Sequence, residues 1–321
     1  MSHELSATLQ LASEAVDRDA ARRGEPDLFD QLLADEATRM LPMWQGRALM
    51  TDAARTALAL LPSAEVTSAL VRVYLGLTLH DAPAEPAGTP VIAVVLTDAA
   101  ANELEPDEQR WIGLRQAATG LSARDAGLFT EALAVTNWHA TFMHCPRCGT
   151  PTVVEQAGWM RRCLVDDNEI FPRTDPAIIT AVIDGCDRIL LGSNALWENN
   201  RWSLLAGFVE AGESFEMAVL REIYEEAGIR VSDLQYVGSQ PWPFPQSVMI
   251  GYRARLADGQ DPEALRPDGD EILALRWFSR DDIWRERDDI MLPGGVSIAH
   301  AIVQDWYGGP LTEPPAGEGR G

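Results

Sequence analysis

The sequence predicts an α/β protein of two unequal domains joined by a short cysteine-bearing connector. Three observations predict it. Strand-like and helical stretches alternate through residues 1–140 and again from Ala177 onward. Between them, residues 141–175 are short-stranded and turn-rich, and they carry three of the four cysteines. Finally, a long amphipathic and strongly acidic helix pattern follows a glycine-bearing loop in the second domain.

In the first domain, an α+β reading of residues 1–140, VTSALVRVYLGLTL (66–79) and PVIAVVLT (90–97) are β-rich and read as buried strands. The Pro/Gly/Ala stretch HDAPAEPAGT separates them as a loop. EQRWIGLRQAATGL and ARDAGLFTEALAVTNWHATF read as helices. In the second domain, residues 176–307, AIITAVID and RILLGS read as a hairpin pair, followed by WSLLAGFVE and the helix SFEMAVLREIYEEAG. LQYVGSQ, SVMIGYRARL and ALRWFS are further strands, and SIAHAIVQDWY is a closing helix. The Pro/Gly-rich tail 308–321 lacks the apolar content to pay for ordering and is expected to be disordered.

Acidic residues number 49 against 26 basic, a formal net charge of -23. Such a chain repels polyanions, which excludes a broad nucleic-acid-binding surface. A small anionic substrate remains compatible where bound cations reverse the local field. No run of eighteen apolar residues and no basic-then-apolar N-terminus occurs, so the expectation is a cytoplasmic protein without a membrane span.

Chemistry concentrates between Gly207 and Ile229. Ser214 is a candidate N-cap and Gly228 a candidate C-cap, and Phe215, Ala218, Val219 and Ile223 form an apolar stripe between them. Glu222, Glu225 and Glu226 fall at i, i+3 and i+4 and share one helical face. Three like charges in one patch repel without a cation, and oxygen-only donors suit Mg²⁺ or Mn²⁺. A solvated acidic face is the plain alternative for an isolated Glu-Glu pair. The whole pattern is longer, comprising Gly207, Glu213, Arg221, Glu222, Ile223, Glu225, Glu226, Gly228 and Ile229, and it resembles the Nudix box at every specified position.

That resemblance implies an α/β/α sandwich with a mixed sheet, preceded by a zinc-ribbon-like segment. It implies divalent cations held by Glu222, Glu225 and Glu226, the catalytic carboxylates. The Ala206 carbonyl and Glu271 join them as further metal ligands, and Glu213 with Arg221 ties loop to helix.

Downstream lies Ser239-Gln240-Pro241-Trp242-Pro243-Phe244-Pro245-Gln246-Ser247. Alternating prolines cannot donate to a sheet ladder and stiffen the backbone, so Trp242 and Phe244 become rigid aromatic faces. Such a wall stacks a base, while a Pro-rich strand exit with buried aromatics is the plain alternative. The segment is similar to the signature of the NADH pyrophosphatases. The resemblance assigns Gln240, Pro241, Trp242, Pro243, Phe244, Pro245, Gln246 and Ser247 to the nucleotide site, with Phe171 and Ala299 as further substrate contacts. Arg115 is an added candidate, since a guanidinium suits a phosphate.

Cys145-Pro146-Arg147-Cys148-Gly149 has zinc-knuckle spacing. The family's second Cys pair reads Cys163-Leu164-Val165-Asp166 here, so the fourth ligand has become Asp166, with Asp167 and His144 as substitutes. Zinc accepts a carboxylate oxygen, so a structural Cys₃Asp site is the expectation.

The function implied is hydrolysis of NADH or NAD⁺ to NMN(H) and AMP by water activated on a divalent metal. Removal of the NAD cap from RNA breaks the same bond and is the first alternative. A non-catalytic nucleotide sensor is the second, although no box carboxylate is missing. Relatives are homodimers, which is the expectation here too.

Overall fold

The structure, a computed structural model, describes residues 9–51, 54, 56–83, 85–198 and 200–315. These fall into two compact units. One holds Gln10–Thr174 together with Pro241–Gln246, and the other holds Asp175–Gln240 with Ser247 onward.

The first unit contains strands β1 (Val16–Asp17), β2 (Arg39–Trp44), β3 (Arg47–Leu49), β4 (Leu61–Pro62), β5 (Val71–Thr78), β6 (Pro90–Val95) and β7 (Trp111–Gly113). They form one sheet in the order β1-β5-β6-β2-β3-β7, with β4 added to β2. β2 and β6 run parallel, and their neighbours are antiparallel. The β2–β3 hairpin turns on Gln45 and Gly46, both at positive φ (51° and 73°), as a two-residue primed turn requires.

Helices α1 (Leu28–Ala34) and α2 (Asp98–Leu104) contribute Leu28, Leu32 and Ala101 to a core with Met40, Tyr74, Ile92, Val94 and Trp111. A short α3 (Leu114–Ala117) precedes α4 (Ala123–Thr141). Ser122 caps α4 by accepting from Asp125 N–H, and most of the helix is buried. A helix buried on nearly all sides has no single polar face, which explains its weak amphipathic pattern.

One expectation fails here. EQRWIGLRQAATGL is not a helix: it splits into a 3₁₀ turn at Glu108–Arg110, then β7, then α3. Trp111 and Ile112 are buried and pair with Leu49 and Ala48 of β3, so tertiary pairing overrides helical periodicity.

The connector forms a separate antiparallel sheet, β10-β9-β8, from β8 (Val153–Glu155), β9 (Met160–Arg162) and β10 (Glu169–Ile170).

The second unit contains β11 (Asp175–Ile183), β12 (Ile189–Asn194), β13 (Leu205–Phe208), α5 (Phe215–Ala227), β14 (Val231–Trp242, as far as Gln240), β15 (Ser247–Leu256), β16 (Ile272–Phe278), α6 (Arg280–Glu286) and α7 (Ile298–Tyr307). The sheet order is β14-β15-β11-β12-β16, with β13 paired to β11. β11 runs parallel to β15 and antiparallel to β12 and β13, so the sheet is mixed.

Strand alternation places the helices on opposite faces. Ile178 and Val182 of β11 and Ile250, Tyr252 and Ala254 of β15 share a cluster with Ala218, Val219, Ile223 and Ala227 of α5. Between Ile250 and Tyr252, Gly251 points the other way. A Cβ there would stand 3.0 Å from Ile298 and Ile302 of α7, so the glycine admits that helix. The result is the α/β/α sandwich expected. Beyond α7, Tyr307 Oη donates to Glu313 O at 2.9 Å. Residues 316–321, the rest of the tail expected to be disordered, lie outside the described residues.

Candidate active site

In the second unit, Ser214 caps α5 by accepting from Met217 N–H, and Gly228 at φ 69° closes it with its N–H on Tyr224 O. Both caps fall where the sequence places them. The helix buries Ala218, Val219, Ile223 and Ala227, which turns Glu222, Glu225 and Glu226 toward the loop that precedes it.

Arg221 organises the junction. Its Nε and Nη2 donate to the two Glu213 oxygens at 2.9 and 2.8 Å, and Nη2 also donates to Phe208 O at 3.0 Å. Its Nη1 donates to Glu222 Oε1 at 2.8 Å and Glu225 Oε2 at 3.0 Å. One guanidinium therefore ties the loop to the helix and partly neutralises two of the three carboxylates. It also holds the Glu213 carboxyl below the usual range.

Glu226 is different. It is 4% exposed, and its Oε2 has no hydrogen-bond partner among the described residues. Burial, then the neighbouring Glu222, Glu271, Asp268 and Glu225, push its pKa up to about 8. Burial also holds the Glu222 carboxyl above its ordinary value. An unpartnered buried carboxylate is expensive, and several charges of one sign add to the cost.

The loop is fitted to this arrangement. Gly207 follows Ala206 in β13, and a Cβ on it would stand 2.0 Å from the Glu222 carboxylate carbon. Only glycine lets the strand backbone come so close. Opposite, Asp268 Oδ1 accepts from the N–H groups of Asp270, Glu271 and Ile272 at 2.9–3.0 Å, fixing the backbone that carries Glu271. Asn194 Nδ2 donates to Glu271 Oε1 at 3.3 Å. The donor set is all oxygen, contains an orphaned buried atom and has a backbone cradle cut to fit. It suits a hard divalent cation.

Three expected substrate residues of this unit are enclosed. Gln240 is 0% exposed, and both ends of its amide are used internally: Nε2 donates to Val296 O at 2.8 Å and Oε1 accepts from Ile298 N–H at 2.7 Å. Its side chain thereby anchors the start of α7. Ala299, the second residue of that helix, is buried, which limits it to a backbone role. Ser247 is buried at the head of β15, where it pairs with Asp175.

The first unit holds the other aromatic and metal-type groups. Trp242 and Phe244 are half-buried and pack edge to face at 5.0 Å. The Arg115 guanidinium lies over Phe244 at 4.2 Å and over Trp242 at 5.2 Å, within reach of both ring faces. Asn137, which sequence reasoning missed, donates from Nδ2 to Pro243 O at 3.0 Å and to Pro245 O at 2.9 Å. Pro241 and Pro245 are exposed, Pro243 is buried and Gln246 is half-buried. Phe171, just past β10, is 55% exposed.

Cys145, Cys148, Cys163 and Asp166 come together with their donor atoms all within 4.8 Å of one another. Cys145 Sγ stands 3.3 Å from Asp166 Oδ2, and Cys148 Sγ stands 3.5 Å from Cys163 Sγ. Asp167 is turned away to Arg162 at 2.7 Å, and neither it nor His144 joins the group. Gly149 at φ 74° makes the first knuckle, its N–H donating to Cys145 O. Three thiols and a carboxylate at these separations suit zinc.

An α/β/α sandwich with a mixed sheet, carrying this glycine loop and glutamate helix, defines a Nudix domain. The NUDIX domain family matches residues 173–294. The NADH pyrophosphatase-like rudimentary NUDIX domain matches residues 37–138, and the NADH pyrophosphatase zinc ribbon domain matches residues 140–171. The chain therefore belongs to the NADH pyrophosphatase family of the Nudix superfamily.

Among curated relatives, the NAD-capped RNA hydrolase NudC of Mycobacterium bovis is 46% identical over 189 residues, covering 56% of this chain and 59% of that protein. The NAD-capped RNA hydrolase NUDT12 of Homo sapiens is 36% identical over 201 residues, covering 58% of this chain and 42% of that protein. The chain thus spans little more than half of the first and less than half of the second. A solved NUDIX hydrolase from Nitrosomonas europaea aligns at TM-score 0.41 and 23% identity, over 53% of this chain and 95% of that one. No helix among the described residues is long and apolar enough to cross a membrane.

Proposed function

We propose that this chain hydrolyses the pyrophosphate bond of NADH or NAD⁺, releasing AMP and NMN(H). The observation that carries the proposal is Glu226, a buried carboxylate with an orphaned oxygen beside Glu222, Glu225 and Glu271. Such a cluster is unfavourable alone and is relieved by a divalent cation. Glu222, Glu225, Glu226, Glu271 and the Ala206 carbonyl would hold Mg²⁺ or Mn²⁺. When bound, the cation offsets pyrophosphate charge and lowers the pKa of water.

The chain's own groups complete the chemistry. Arg221 orients Glu222 and Glu225, and Gly207 leaves room for them. Asp268 and Asn194 hold Glu271. Trp242 and Phe244 offer faces for a base of the dinucleotide, with Phe171 and Arg115 as further contacts. Cys145, Cys148, Cys163 and Asp166 would hold a structural zinc.

The names of the two relatives favour a second reading, removal of the NAD cap from RNA. The bond broken is the same, and a net charge of -23 restricts contact to the cap and its first nucleotides. We further read the protein as a cytoplasmic homodimer. The test is AMP release from NADH, from ADP-ribose and nucleoside monophosphate release from NAD-capped RNA, each with and without Mg²⁺ or Mn²⁺. Preference for NADH supports the first reading. Preference for capped RNA supports the second, and no metal-dependent release from any substrate overturns both.

A further inference from the structure

Asn137 occupies the interior of α4, where asparagine is a poor helix former. It sits between two buried residues, Thr136 and Trp138, on a helix whose faces are packed almost throughout. Its side-chain amide has two N–H donors. One meets Pro243 O and the other Pro245 O, residues that lie 106 and 108 positions away in sequence. The identity of the amide ends follows from the partners, because an oxygen in that place would face two carbonyl oxygens.

The segment receiving these bonds cannot stabilise itself in the ordinary way. Pro243 and Pro245 have no N–H, so a ladder cannot form across them. The Phe244 N–H turns back to Trp242 O at 2.7 Å, which leaves the two proline carbonyls to find donors elsewhere. Asn137 supplies both. It holds the backbone on either side of Phe244, while the Arg115 guanidinium covers that ring and reaches the Trp242 ring. Backbone and rings are thus fixed by different residues of the same compact unit.

We infer that Asn137 is a positioning residue that fixes the Trp242–Phe244 wall for stacking of a substrate base. The inference rests on the proposed reading of that wall. It gives the rudimentary Nudix domain a part in substrate recognition: α4 presents the donor that sets the segment's geometry. A stacked base gains only when the ring is already in place, so loosening the wall weakens binding and leaves bond cleavage largely intact.

The test compares Asn137→Asp and Asn137→Leu with Trp242→Ala in the full, metal-loaded protein. Asn137→Asp keeps the size and replaces donors with acceptors, while Asn137→Leu removes both. The inference expects both Asn137 variants to raise KM for NADH about ten-fold with kcat within about three-fold of the parent, and to speed hydrogen exchange at the Phe244 amide. Affinity for AMP and for NMNH, measured separately by calorimetry, should fall for one product and identify the stacked base. Unchanged KM in the Asn137 variants, with KM raised by Trp242→Ala, overturns the inference and leaves the wall's reading standing. Unchanged KM in all three overturns the reading and the inference together. A fall in kcat with KM unchanged, or a lower Tm with normal kinetics in the folded fraction, assigns Asn137 to architecture and also overturns it.

Discussion

Glu226 is a carboxylate that the folded protein prefers to keep protonated. Its folded pKa is about 8, raised by burial and then by four acidic neighbours, against an unfolded value of about 4.3. Where the folded state binds the proton more tightly, stability falls as pH rises. The metal-free protein should therefore lose stability steadily between about pH 4.3 and 8, with this contribution fully lost above pH 8. Glu226→Gln keeps the shape and removes the titration. Its metal-free Tm should exceed the parent's at pH 8 and approach it at pH 5, while turnover collapses. Melting curves across that range check this, and a parent curve as flat as the variant's would contradict it. A bound cation displaces the same proton, so protection by Mg²⁺ should grow as pH rises toward 8.

Gly207 makes a complementary prediction. A methyl group there overlaps the Glu222 carboxylate, and the side chain must swing out of Arg221's reach. Gly207→Ala should reduce turnover by two powers of ten or so, a loss typical of displaced catalytic geometry, with only a modest change in Tm. Activity assays and melting on the same preparation decide it.

At the scale of elements, the connector and the proline segment carry the sharpest tests. The Cys₃Asp group closes three short strands that have little core of their own. Small folds of this kind draw their stability from metal. Elemental analysis should find about one zinc per chain, as a four-ligand site holds. Chelation should lower the Tm, and Asp166→Cys should retain zinc against a higher chelator concentration. Absence of zinc together with a Tm unmoved by EDTA would assign the cluster to packing alone. For the proline segment, Trp242→Ala should lower kcat/KM for NADH about ten- to hundred-fold, the value of one stacked base. Its half-buried side chain predicts a smaller stability loss than the roughly 3–5 kcal/mol of a core tryptophan.

Helix α5 was legible from periodicity and caps, because both are local. Glu108–Gly120 was not, since pairing of β7 with β3 is a tertiary event between segments about sixty residues apart. The internal bonding of Gln240 was hidden for a related reason. Its place beside the aromatic run resembles a ligand contact, and only the fold reveals that Val296 and Ile298 consume its amide. Asn137 had no signal at all, because its meaning lies in two carbonyls more than a hundred residues downstream.

At the scale of the whole molecule, each unit brings a different capacity. The second unit concentrates negative charge on a rigid helix and loop, and its natural complement is a cation. The first supplies zinc-type ligands, an aromatic wall and the residues that steady it. Each has a mixed sheet that includes a parallel pair, β2 with β6 and β11 with β15. Only the second carries the glutamate helix, so single substitutions in the two units should separate in kinetics: second-unit changes lower kcat, and wall changes raise KM. The central claim is that this chain cuts a dinucleotide between its two phosphates. Product analysis after incubation with NADH and Mg²⁺ or Mn²⁺ tests it most directly. AMP and NMNH should form in equal amounts, only with metal, and not at all in Glu226→Gln. Intact NADH, or cleavage at the nicotinamide–ribose bond instead of the pyrophosphate, would contradict it.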